Sequence, residues 1–282
     1  MNSLLAVFTF ELRRLLTPGR AFWWVLVAMF PPAIVLLMQN YGTVADVEQW
    51  QRILRDVHGR SFSPEEAQQQ IDTVLTIAIY FLAPSIACML GSLLTAAPSV
   101  ASELEQHSWI YFATRPNGLF HLVVGKFLVA TFWAGSAALL GTTAAMAVAK
   151  ISGWKEAFLA LTMVTCLSSA AYSALYMMVG TLFHRRAMVF CVAYTAGVEL
   201  FLGFFPAIIN RLTIQYRLRS LLFMWTTQSD EFRDSRIIEF VASTESTLIQ
   251  LLWLASLTSL FMAISLVTVH IREFTLAAES DL

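Results

Sequence analysis

The chain has 282 residues, of which 57% are hydrophobic and only 13% are charged. An average soluble domain carries about 25% charged residues, so the composition excludes an ordinary soluble domain and favours a membrane protein. The net charge of −1 gives no indication of a nucleic-acid partner.

Six long apolar blocks predict six transmembrane helices. A block of about 18 or more apolar residues is long enough to cross the hydrocarbon core, and the backbone of such a segment must satisfy its own hydrogen bonds in lipid. We place the spans at 21–38, 73–97, 123–149, 157–183, 187–209 and 248–269. The sequence therefore predicts an all-α, polytopic membrane protein with one transmembrane domain over residues 1–282.

The first 20 residues and the short loops bear on orientation. Residues 2–20 form an amphipathic stretch that we expect to lie in the interface as an N-terminal helix. Basic residues before the first span and after the fourth favour a cytoplasmic N-terminus, and they are Arg13, Arg14, Arg20, Arg185 and Arg186. Lys150 and Lys155 in another short loop oppose it. With the N-terminus inside, both termini are cytoplasmic, and 39–72 and 210–247 are outer segments.

The first outer segment contains a helix start. Ser63 and Glu66 form a capping box around Pro64 at the first helical position. We expect this helix to continue unbroken into the second span and to project beyond the bilayer. The simplest interpretation of both outer segments is a solvated cap over the spans.

Two features within the spans have structural interpretations. Ala137, Gly141, Ala145 and Ala149 place one small residue per turn on the third span, which favours close helix packing. Glu199 lies in the middle of the fifth block, where a charge is costly, so we expect it to face the protein interior or water. It is either a cargo or gating contact or a hydrogen-bonded structural carboxylate.

The loop after the second span has the most informative pattern. Ser102 and Glu105 form a second capping box, which predicts a short helix from 102 that ends at Pro116. Its exposed side would combine Glu103 and Glu105 with aromatic residues that include Trp109 and Tyr111. An ordinary interfacial loop is the alternative, with its aromatics anchored among lipid headgroups.

Here the sequence resembles the permease subunits of type-2 ABC exporters. The similar pattern is Glu-x-Glu at Glu103 and Glu105, a hydroxyl residue at Ser108, Pro116, and Gly125-Lys126. The opening Phe10-Glu11-Leu12-Arg13-Arg14 also resembles the N-terminal interfacial helix of that family, and the six-span layout agrees.

The resemblance implies a transport subunit of the bacterial cytoplasmic (inner) membrane. Such permeases pair with a second copy or a paralogue and bind two cytoplasmic ATPase subunits. The resemblance places the ATPase contact in a coupling helix between spans two and three, and we assign it to Glu103, Glu105, Trp109, Tyr111 and Pro116. It also implies that ATP and Mg are bound in the partner ATPase and that this chain binds no cofactor.

Other function classes find little support in the sequence. Gly125-Lys126-Phe127 does not match a phosphate loop, because position 120 is Phe and no Ser or Thr follows the lysine. The sequence has neither a zinc-protease motif nor a serine-hydrolase elbow, and Glu199 alone cannot form an aspartyl dyad. We predict no catalytic residue and no metal site. A channel or a structural membrane anchor is the alternative to an exporter subunit, and an intramembrane enzyme is a further one.

Overall fold

The computed structural model describes residues 3–41, 47–58, 63–105, 114, 117–201, 213–226 and 245–271. Within these residues the chain is helical and contains no β-strand. The coarse prediction of an all-α, polytopic protein agrees with this structure.

Three helices precede the second predicted span. Helix α1 (Ser3–Leu15) is joined through two residues to α2 (Pro18–Tyr41), which has a proline at its first position, where the missing N–H is not needed. Helix α3 (Val47–His58) is amphipathic and packs on the start of α4 (Pro64–Tyr80), with Val47 and Trp50 against Ala67.

The predicted capping box at the start of α4 is confirmed. The Ser63 Oγ accepts from the Glu66 backbone N–H at 3.2 Å, and the Glu66 carboxylate accepts from the Ser63 backbone N–H at 2.7 Å. Helix α4 continues through a π-helical segment (Phe81–Ala87) into α5 (Cys88–Thr95). Pro84, which cannot donate a backbone hydrogen bond, lies inside the π-helical segment.

The predicted helix start at Ser102 is wrong. After a turn at 96–98 the chain forms α6 (Ser99–Glu105), which begins directly after Pro98. The Ser102 hydroxyl lies inside this helix and donates to the Ser99 carbonyl at 3.0 Å. Since Pro98 presets helical φ, the helix begins three residues earlier than the capping pattern indicated.

Two long helices form the centre of the bundle. Helix α7 (Gly118–Ala149) packs along α2, and α8 (Trp154–Leu182) packs against α7 and α5. All four members of the predicted small-residue stripe on α7 are buried. A Cβ at Gly141 would lie 2.9 Å from the Ala28 carbonyl oxygen, so this glycine allows α2 to approach α7 closely.

The C-terminal half is less regular. A 3₁₀ turn (His184–Arg186) leads to α9 (Ala187–Tyr194), which passes into a second π-helical segment (Thr195–Phe201). Helix α10 (Ile214–Trp225) and helix α11 (Thr247–Ile271) complete the described chain, and both pack against α8.

Five helices in the described residues are long and apolar enough to cross a membrane. They are Pro18–Asn40, Pro64–Glu103, Gly118–Ala149, Trp154–Leu182 and Thr247–Ile271. They contain the predicted spans one, two, three and six completely, and the predicted span four except for residue 183. The predicted fifth span, 187–209, is helical through Phe201, and its remainder lies outside the described residues. The count of six therefore stays a prediction.

The interpretation of 210–247 as a solvated cap is wrong for α10. Arg217 and Arg219 are only 4% and 3% exposed. The Arg217 guanidinium donates to Gln250 at 2.8 Å and to Glu245 at 3.2 Å, and it lies over the ring of Trp253. These partners offset the free-energy cost of burying the Arg217 charge. From the sequence alone, such a charged residue is expected to be exposed to solvent.

Helix α7 defines the two ends of the bundle. Helix α1 packs at the beginning of α7, and we call this the α1 end. At the other end, the Gln39 amide donates to the carbonyl of Val148 at 3.2 Å, and Asp72 of α4 accepts from the backbone N–H of Ser152 at 3.0 Å. Helix α3 lies there too, so we call it the α3 end.

Candidate functional site

Four charged residues meet at the α1 end and form what we call the Glu103 cluster: Glu11, Arg14, Glu103 and Lys126. The Glu103 Oε1 accepts from the Arg14 Nη1 at 2.9 Å and from the Lys126 Nζ at 2.8 Å. The Lys126 Nζ also lies 3.1 Å from the Glu11 Oε1. The cluster joins α1, α6 and α7.

The cluster is buried and electrically balanced. Glu103 is 2% exposed, Lys126 and Glu11 are each 7% exposed, and two acids face two bases. Removing charges from water is costly, and close opposite charges offset that cost only while every partner is present. The four residues therefore fix the relative position of three helices.

A close backbone contact places the lysine. A Cβ at Gly125 would lie 2.7 Å from the Val7 Cγ1, so the absence of a side chain at 125 lets α1 lie directly on α7. Lys126, the next residue, then reaches the two carboxylates. The Gly-Lys pair thus has a local structural reason: the glycine permits the approach and the lysine makes the ion pairs.

The sequence interpretation of Glu103 as an exposed acid is wrong. Its carboxylate points into the protein, because Arg14 and Lys126 neutralise it from two other helices. Glu105 is the last residue of α6, and its side chain lies outside what the structure describes. Trp109, Tyr111 and Pro116 also lie outside the described residues. The structure therefore brings Glu103 together with Glu11, Arg14 and Lys126, which the sequence alone did not connect.

Glu199 is the centre of a second polar cluster, in the middle of the bundle. It is 1% exposed, which confirms that it faces the protein interior. Its carboxylate accepts from the Tyr172 hydroxyl at 3.1 Å and from the backbone N–H groups of Ile214 and Gln215 at 3.3 and 3.1 Å. Glu199 thus binds the N-terminus of α10, where a negative charge is favoured.

The same cluster connects both π-helical segments. Gln215 donates through its side-chain amide to Ser85 of the first segment and through its backbone N–H to Glu199 of the second. The Tyr80 hydroxyl, one residue before the first segment, donates to the Gln215 side-chain oxygen at 2.8 Å. π-Helical turns are frequent at functional sites. Pro84 was the available sequence signal for the first segment, whereas the second has no comparable marker.

Within the described part of the chain, no group of three or more His, Cys, Asp or Glu side chains is arranged to hold a metal ion. Comparison of the chain with protein-family models, with curated proteins and with solved structures finds no match.

Proposed function

We propose that this chain is the membrane-spanning subunit of an ATP-driven exporter of the type-2 ABC class, and that it couples to a separate cytoplasmic ATPase. One observation carries the proposal. Two stretches far apart in the sequence carry the resemblance, residues 10–14 and residues 103–126. All four members of the Glu103 cluster belong to them: Glu11 and Arg14 to the first, and Glu103 and Lys126 to the two ends of the second. A chance likeness of short motifs gives no reason for such a convergence.

The cluster has the properties that force transmission requires. A push on the segment after α6 acts on a helix that is ion-paired to α1 and to the start of α7. Because buried ion pairs are lost only at a large cost, the three helices move together rather than slide. Glu103 then acts inside the permease, as the joint between these helices. The direct contact with the ATPase is assigned to the residues that follow, with Glu105, Trp109, Tyr111 and Pro116.

The proposal fixes the orientation and the partners. The α1 end is cytoplasmic, together with both termini, and the α3 end faces outward across the bacterial inner membrane. A second copy or a paralogue completes the permease, and ATP with Mg is bound in the ATPase. This chain contributes the translocation pathway and the mechanical connection.

Purification from native membranes tests the proposal. A tagged chain, extracted in mild detergent, is expected to carry an ATPase with a phosphate loop in near-stoichiometric amount, and the complex is expected to hydrolyse ATP. The chain purified alone is expected to bind no nucleotide. Lys126→Met is expected to uncouple ATP hydrolysis from transport, whereas Lys150→Met, a change at an exposed lysine, is expected to leave both unchanged. Recovery of intact chain without any such ATPase contradicts the proposal, and so does ATP-independent conductance by the chain alone.

A further inference from the structure

A cavity of about 980 Å³ opens at the α3 end. It lies between α3, the first turns of α4, the turn that joins α7 to α8, and the C-terminal end of α10. Small-molecule sites in proteins have volumes of about 300–1,000 Å³, so this cavity is large enough for a drug-sized ligand. It is remote from the Glu103 cluster, and it is not used by the proposed coupling.

The walls of the cavity combine an apolar base with an aromatic rim. Ile77 of α4 and Leu222 and Phe223 of α10 contribute apolar surface. Trp154, at the start of α8, lines the cavity and is 56% exposed. An indole ring in a cavity wall offers a large apolar surface on which the apolar body of a ligand packs.

The described residues that line the cavity carry a net negative charge. Glu65, Asp72 and Glu156 line the cavity, and Lys155 is the one basic side chain among the described residues that do so. Asp72 is half-buried, and its two carboxylate oxygens accept from the Gln68 amide at 2.9 Å and from the Ser152 backbone N–H at 3.0 Å. Both bonds are to neutral donors. Among the ion pairs of the described residues, none involves Asp72 or Glu65.

Asp72 therefore has capacity that its protein partners do not use. Two hydrogen bonds hold the Asp72 carboxylate in place at the cavity wall, and each oxygen retains a lone pair for a further partner. An opposite charge within about 4–6 Å stabilises the ionised form of a carboxylate. A ligand cation in the cavity provides that charge.

We propose that this cavity binds an organic cation with a large apolar body, with Asp72 and Glu65 attracting the charge and Trp154 packing on the apolar body. The cation belongs either to a free lipophilic solute or to the ammonium headgroup of a lipid, since the chemistry is the same. The inference does not depend on the exporter function, because it concerns binding to this chain alone.

Titration of the full-length chain with tetraphenylphosphonium tests the inference. The chain is reconstituted in nanodiscs, and binding to empty nanodiscs of the same lipid is subtracted. We expect saturable binding that weakens about tenfold in Asp72→Asn and about threefold in Glu65→Gln, because each change removes one nearby charge and the charge of the exposed Glu65 is more strongly screened than that of the half-buried Asp72. Lys155→Gln is expected to tighten binding. Asparagine at 72 keeps an oxygen for the Ser152 N–H, and Glu65 is exposed, so neither variant is expected to unfold the chain.

The anion tetraphenylborate has the same shape as tetraphenylphosphonium and the opposite charge. Weaker binding of the borate than of the phosphonium supports the inference. Absence of saturable phosphonium binding, or equal affinity of the wild type and both carboxylate variants, overturns it, and so does an equal loss of affinity for both ions in the variants. Phosphonium binding that is weaker in phosphatidylethanolamine than in neutral galactolipid nanodiscs, which lack an ammonium group, identifies a lipid ammonium as competitor, whereas equal binding identifies a free cation as the ligand.

Discussion

The substitution Lys126→Met tests most directly how much the buried ion pairs of the Glu103 cluster contribute to the stability of the fold. Methionine keeps much of the length and apolar stem of lysine, so the main loss is the charge. In the folded protein that charge lies 2.8 Å from Glu103 and 3.1 Å from Glu11. Its removal leaves two buried carboxylates with Arg14 as the remaining basic member of the cluster. Breaking a buried ion pair typically costs 3–5 kcal/mol. Because Arg14 still compensates part of the negative charge, we expect a loss of about 3 kcal/mol.

The assay is reversible unfolding of the detergent-solubilised chain, with Lys155→Met as the matched control. Lys155 is exposed, so the control is expected to change the free energy of unfolding by no more than about 0.5 kcal/mol. The difference between the two variants is expected to persist at high salt, because buried pairs are screened little.

A double variant separates electrostatics from packing. Adding Glu11→Gln to Lys126→Met leaves a neutral pair of Arg14 and Glu103 at 2.9 Å. The double variant is therefore expected to be less destabilised than the sum of the two single variants by about 1 kcal/mol or more. The reasoning is refuted if Lys126→Met is as stable as Lys155→Met, or if the two cluster changes are simply additive.

Three other changes have definite expected outcomes. Gly125→Val adds a side chain whose Cβ alone would lie 2.7 Å from the Val7 Cγ1, so α1 is expected to be displaced, with faster amide hydrogen exchange along that helix. Gly180→Ala places its Cβ 2.3 Å from a backbone oxygen and is expected to cost about 3 kcal/mol of stability, whereas Gly197→Ala, which faces open space, is expected to be neutral or slightly stabilising in the same unfolding assay. Glu199→Gln puts an amide NH₂ against backbone donors and is expected to lose about 1–3 kcal/mol; unchanged stability would show that those hydrogen bonds contribute nothing.

Much of the helical layout is predictable from sequence because it follows from local chemistry. Five of the six apolar blocks fall on the five long apolar helices, and these helices extend past the blocks by a few residues where Pro18 or Trp154 begins a helix. The capping box of Ser63 and Glu66 is visible because both partners lie within one turn. Such features depend on neighbours three or four residues apart.

The candidate site was only partly predictable, because its contacts are distant in sequence. Glu103 pairs with Arg14, 89 residues away, and with Lys126, 23 residues away, and its burial exists only once three helices are packed. The prediction that Arg217 lies in a solvated segment was wrong for the same reason. A charged residue between two spans is expected to be exposed to solvent, and only the folded structure shows that Gln250 and Trp253 surround its guanidinium. The resemblance named the relevant stretches, but not their mutual contact.

Site-specific photo-crosslinking tests the central proposal, that this chain couples to an ATPase through the segment after α6. A benzophenone amino acid is placed at Trp109, in that segment, and separately at Gln51, on α3 at the opposite end. Each variant is expressed with the ATPase that co-purifies with the wild type. Ultraviolet irradiation in native membranes is expected to give a permease–ATPase adduct from position 109 and none from position 51. An adduct from 51, or none from 109 while the complex remains intact, would contradict the account.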